Sequence, residues 1–129
     1  MLNTIASVLA GLIGAAIAFL GIQDLRAPQS AAVGFGLPNG SAETEAATTS
    51  QAWLSTRAVR DIASGLFIFI LLINGASHLL GWIMLAACLI PVGDAIIVRR
   101  NNGPSSSVYG VHGGSVVVML AVAVVLLTS

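Results

Sequence analysis

Arg57-Ala58-Val59-Arg60-Asp61-Ile62-Ala63-Ser64-Gly65 runs straight into Leu66-Phe67-Ile68-Phe69-Ile70-Leu71-Leu72-Ile73. The second half reads as part of a membrane-spanning helix. The first half places two arginines and an aspartate in the opening turns of that helix. Such groups are costly in lipid and persist where they face a protein interior or a water-filled cavity and have partners. By helical spacing, Arg57, Asp61, Ser64, Ile68 and Leu71 share one stripe, with Arg60 at its flank. Two further ionisable residues, Asp94 and His112, lie in the next two apolar runs. What the protein can do depends on whether these groups meet.

Composition sets the frame. The 129 residues are enough for one domain. They are 57% hydrophobic and only 8% charged, whereas a soluble domain carries about 25% charge. The reading is an integral membrane protein. Net charge is zero and there is no lysine, which argues against a nucleic-acid partner. The single cysteine, Cys88, sits inside an apolar run and reads as a small buried hydrophobe. The sequence shows no metal-ligand spacing, phosphate loop, nucleophile elbow or internal repeat, so neither a metal nor a cofactor is expected.

Taken in order, the chain predicts four spans, at about 2–22, 52–74, 78–98 and 107–127, within a single domain covering 1–129. The first lacks a basic n-region and its apolar core is too long for that of a signal peptide, so it reads as a permanent span. It carries small residues at four-residue spacing, Ser7, Gly11 and Ala15 on one line and Ala10, Gly14 and Ala18 on the next. Such lines let helix backbones approach closely in lipid, and the first is a candidate face for a homo-oligomer. Residues 23–51 form the long connection. Within it, residues 34–38 make an apolar turn that is expected to fold over the mouth of the bundle, with Phe35 towards the site. Trp53 suits the membrane interface. Residues 74–77 are a short turn, so spans two and three form an antiparallel hairpin. Pro91 interrupts span three and frees the carbonyl of Ala87. In span four, Tyr109, His112, Ser115 and Met119 fall on one helical stripe.

An up-down order of four spans brings the end of the first, the start of the second, the end of the third and the start of the fourth to one side. Every arginine and every acid lies there. At 1.5 Å per residue, Asp61, Asp94 and His112 sit roughly 9–12 Å from their nearest helix ends. One reading is an ion-pair cluster that holds the bundle together. The other is an acid–base site, because carboxylates crowded together in low dielectric cannot all ionise, leaving one neutral acid beside one ionised base.

Three stretches, RAVRDIASGLFIF, GWIMLAACLIPVGDAIIV and YGVHGGSVVVML, preceded by AAVGFGLP, resemble a family of small four-span membrane proteins. That family is catalogued mainly as a domain of unknown function and looks like a relative of the DoxX-like proteins. Its most specific pieces here are Arg57/Arg60-Asp61, Pro91-x-Gly93-Asp94 and Gly110-x-His112-Gly113. The family is also similar to small membrane enzymes of fungal polyketide pathways that open epoxides by hydrolysis or cyclisation. The Asp–Arg–Asp set then resembles the chemistry of limonene-epoxide-hydrolase-like enzymes on an unrelated fold, by analogy and not descent.

The expectation is an all-α, four-helix transmembrane bundle with a polar pocket at one end. Its lead function is acid–base catalysis on a small lipophilic substrate, with epoxide opening as the concrete reaction. One of Asp61 and Asp94 activates water or a substrate hydroxyl and the other protonates the epoxide oxygen. Arg57 or Arg60 bridges them. His112 and Tyr109 orient the substrate or relay a proton, and Ser64, Trp53 and Phe35 complete the binding set. A carrier for a small solute or protons, or a structural subunit of a membrane complex, are the alternatives. The arginine-bearing side is expected to be cytoplasmic, with both termini outside or lumenal.

Overall fold

A computed structural model describes residues 1–27, Ser30 and 45–129. The described chain is an all-α bundle. Helix α1 spans Leu2–Arg26, α2 Glu45–Ile73, α3 Ser77–Ala87 and α4 Leu89–Arg100. A π-helical segment, α5, covers Ser106–Gly113 and continues into α6, Gly114–Thr128. Three helical stretches are long and apolar enough to cross a membrane: Leu2–Arg26, Ser77–Arg100 and Ser106–Thr128. They mark an integral membrane protein. The fourth helix, α2, carries Arg57, Arg60 and Asp61 midway along its length. It also begins earlier than the apolar pattern suggests. Glu and Ala are good helix formers, so the helix runs back to Glu45 without an apolar face to mark it.

Two helix ends are closed in the same way. The amide of Ala76 donates to the carbonyl of Leu71, and that of Gly75 to Leu72, with Gly75 at φ 66°. The amide of Gly103 donates to the carbonyl of Val98, and Asn102 stands at φ 57°. Both are helix stops built on a left-handed residue, where glycine is unstrained and asparagine tolerated. They fix the hairpin turn after α2 and the polar turn after α4.

Span three continues through Cys88, which keeps helical dihedrals (φ −59°, ψ −23°) where α3 passes into α4. Pro91 lies in the first turn of α4, where a missing N–H costs least. The Cys88 amide donates to both Met84 and Leu85, and its thiol to the carbonyl of Met84 at 3.3 Å.

The helices sort into two pairs. In the first, α1 and α2 run antiparallel in backbone contact. A Cβ on Gly65 would lie 2.6 Å from the carbonyl oxygen of Gly14, and one on Gly21 2.7 Å from that of Ala58. The Ala10, Gly14 and Ala18 line therefore packs inside the bundle, while Ala15 on the neighbouring line is exposed. In the second pair, α3 lies against α6 and α4 against α5. A Cβ on Gly81 would meet Leu126 and Leu127, so this pair is antiparallel too. The pairs join through a core of Ala6, Ala10, Ile68, Leu80, Met84, Met119, Val122, Ala123 and Leu126. That core occupies the uncharged end. Towards the charged end, α1 and α2 make no extensive approach to α4 or α5. The described helices form a wedge, joined at the apolar end and parted at the polar one.

Candidate functional site

The parted end encloses a cavity of about 1030 Å³. Four of the five predicted catalytic residues line it, namely Arg57, Asp61, Asp94 and His112, and so does Ser64. Arg57 spans the wedge. Its Nη2 lies 3.4 Å from Oδ2 of Asp94 on α4 and 3.8 Å from Oδ2 of Asp61, one turn away on α2. The Asp94 contact joins the two helix pairs across the cavity. Helical spacing explains the Asp61 contact, since residues four apart stack on one face. The Asp94 contact needs the hairpin turn at 74–76 to bring α4 back alongside α2.

His112 enters from the fourth span and is 95% removed from solvent, with 5% of its surface exposed. It and Arg57 both act electrostatically on Asp94, while Asp61 feels Arg57, Asp24 and Asp94. The site is thus one coupled set drawn from α1, α2, α4 and α5. His112 owes its position to the π-helical turn. Hydrogen bonding from i to i+5 widens a helix and is found frequently at functional sites. It also breaks the expected stripe. Tyr109 is 65% exposed and is not among the described residues that line the cavity, whereas Ser115 and Met119 do line it.

Two other predicted residues stand outside the cavity. Arg60 is exposed, and its carbonyl accepts the Ser64 hydroxyl at 2.8 Å. Trp53 is 68% exposed. Phe35 and the turn at 34–38 lie outside the described residues. Conversely, Gln23, Asp24 and Arg26 were not among the predicted site residues, and all three line the cavity. Their signal was available. Ile13, Ile17, Leu20 and Asp24 recur at helical spacing, and all four face the site.

The chain matches the family described as Domain of unknown function (DUF4267) over residues 14–126. It belongs to that family. The DUF4267 match begins at Gly14, at the α1–α2 contact, and ends at Leu126, in the core. It takes in Asp24, Arg57, Asp61, Asp94 and His112, so the whole charged set lies inside the DUF4267 region. No curated protein and no solved structure matches the chain.

Proposed function

We propose that the cavity is an acid–base site that opens an epoxide on a lipophilic substrate. The observation that carries this reading is the arginine set between two aspartates, at 3.4 and 3.8 Å, inside a large cavity. One aspartate is ionised and takes a proton from water. The water oxygen attacks an epoxide carbon, the carbon–oxygen bond breaks, and the second aspartate gives its proton to the released oxygen. The product is a diol. The aspartates end with protonation exchanged and are reset by proton transfer through the site. A substrate hydroxyl in place of water gives a cyclic ether instead. Arg57 holds the two carboxyl groups in place, and His112 orients the substrate or relays the proton. Positioned groups of this kind supply roughly 10²–10⁴-fold each, and their fields are strong where water is excluded.

The test is turnover of a lipophilic epoxide by the purified protein in detergent or nanodiscs, followed as diol or cyclic ether. No turnover above that of an Asp61→Asn, Asp94→Asn double variant counts against the reaction. One observation favours a carrier instead. Span three carries Pro91 and span four a π-helical segment at Ser106–Gly113, irregularities of the kind that the discontinuous helices of transporters carry further. Proton or solute flux in proteoliposomes, lost on Asp94→Asn without any epoxide turnover, would establish that reading.

A further inference from the structure

We infer that the substrate is a single-tailed amphiphile that reaches the site sideways from the bilayer, between α2 and the α3–α4 span, with its reactive head at Arg57 and its tail against Met84 and Met119. The inference rests on the acid–base reading only for the nature of the head group.

Three features of the cavity lead to it. First, its wall is graded along its length. Asp24, Arg57, Asp61, Asp94 and His112 line one end, and Ile13, Ile68, Met84 and Met119 line the other. A polar molecule would leave the deep end empty, and a plain hydrocarbon would strip water from the charged end without replacing its hydrogen bonds. An amphiphile satisfies both ends. Second, the deep end lies roughly 10–16 Å from the charged one, counted as 7–11 residues along the helices that line it. A medium-length alkyl or prenyl chain fits that span. Methionine on two facing helices provides an adaptable surface for it.

Third, the wedge is ajar at membrane depth. Phe67 on α2, Ile83 on α3 and Ile90 on α4 all line the cavity and are all exposed outward. Phe67 lies about 9 Å deeper than Asp61, and Ile90 about 6 Å deeper than Asp94, by helical rise. Both are therefore among lipid tails, where no polar solute travels. On the opposite flank Leu20, Val111 and Val118 also line the cavity and are exposed, but there α1 packs on α6. A tailed molecule dissolved in the bilayer thus slides in without its tail crossing water.

The test uses the full chain in phosphatidylcholine nanodiscs. The probes are terminal 1,2-epoxyalkanes with hexyl, decyl and tetradecyl chains, each carrying a diazirine at the far end. After irradiation, adducts are mapped by mass spectrometry. The decyl probe is expected to label the Ile13, Met84 and Met119 region, and the hexyl probe to label nearer the charged end. At equal concentration in the bilayer, unlabelled epoxides whose tails fill the deep end should compete for labelling better than short ones, through packing contacts and not through transfer from water. Phe67→Trp and Ile90→Trp should slow labelling several-fold without moving it. Adducts spread evenly over outward residues such as Leu12 and Val124, with no competition, overturn the inference. Slowing by Leu20→Trp alone overturns the assigned flank. Specific labelling without diol or cyclic ether supports the inference and sinks epoxide opening. Turnover of a short water-soluble epoxide without deep labelling does the reverse.

Discussion

Asp94→Asn separates a structural ion pair from a working acid–base pair. Charges 3.4 and 3.8 Å apart attract by about 5 and about 4 kcal/mol at an effective dielectric of about 20. Little of this survives as net stability. A contact of 3.4 Å is longer than the roughly 2.7–2.9 Å of a strong charge-assisted bond. The Arg57 side chain also keeps 33% of its surface exposed. Arg57 has two carboxylates on one nitrogen, so losing one leaves the other in place. Each single variant, Asp61→Asn or Asp94→Asn, should therefore lose only about 1–2 kcal/mol, between an exposed pair and a buried one. The double variant removes both carboxylates and should lose about 3–5 kcal/mol, more than the sum of the singles. Turnover should behave oppositely. Each single variant should lose about 10²–10⁴-fold, because acid and base are both needed. The assays are thermal unfolding in detergent and epoxide turnover on the same preparations. Single variants that already cost as much as the double, or that keep full turnover, refute the shared bridge.

Arg60→Ala should leave turnover within about twofold, because Arg60 lies outside the cavity, at the level of an ordinary exposed substitution; a loss comparable to that of Arg57→Met would show that the wrong arginine has been assigned. His112→Ala should lower turnover about 10-fold, since an orienting or relaying group contributes less than the donor or acceptor it serves; initial rates with the lipophilic epoxide check this. Gly65→Val should destabilise by about 3 kcal/mol, because its first added carbon already meets the Gly14 carbonyl oxygen at 2.6 Å. Gly93→Ala, with nothing within 4 Å of the new carbon, is the matched control and should melt as the native protein does. A protease-cleavable tag at Met1 or Ser129 should be cut from outside in right-side-out vesicles, since the exposed Arg99 and Arg100 favour a cytoplasmic polar end; protection at both ends reverses the orientation.

The apolar runs made the bundle legible, because in lipid only helices and closed barrels satisfy their backbones. The hairpin turn at 74–76 and the end of α4 were equally plain, marked by glycine and asparagine. The meeting of Arg57, Asp61, Asp94 and His112 at one end followed from up-down order alone, without any contact being known. Two things did not follow. Which helices pack tightly depends on where small residues face each other, and Gly14, Gly21 and Gly65 tie α2 to α1 more closely than the short turn ties it to α3. The π-helical turn leaves no fixed signature in residue types. A stripe counted at 3.6 residues per turn therefore put Tyr109 on the face of His112, and the wider turn carries it outward. Asp24 was missed for a different reason. An acid near a helix end is ordinarily a water marker, and only the inward stripe of Ile13, Ile17 and Leu20 distinguishes this one.

The wedge has a mechanical consequence. Its fulcrum is the packed core around Ile68 and Met84, and α4 is a lever whose tip carries Asp94. The arm from Met84 to Asp94 is ten residues, about 15 Å, so a swing of about 6° moves the tip by about 1.6 Å. That takes the Arg57–Asp94 contact from 3.4 Å to about 5 Å, beyond any hydrogen bond. The core would register almost nothing, because displacement near a fulcrum is small. The arginine bridge is therefore a gauge of the angle between the two helix pairs, and a bilayer too thin or too thick for the spans would be felt at Asp94 before it disturbed the fold.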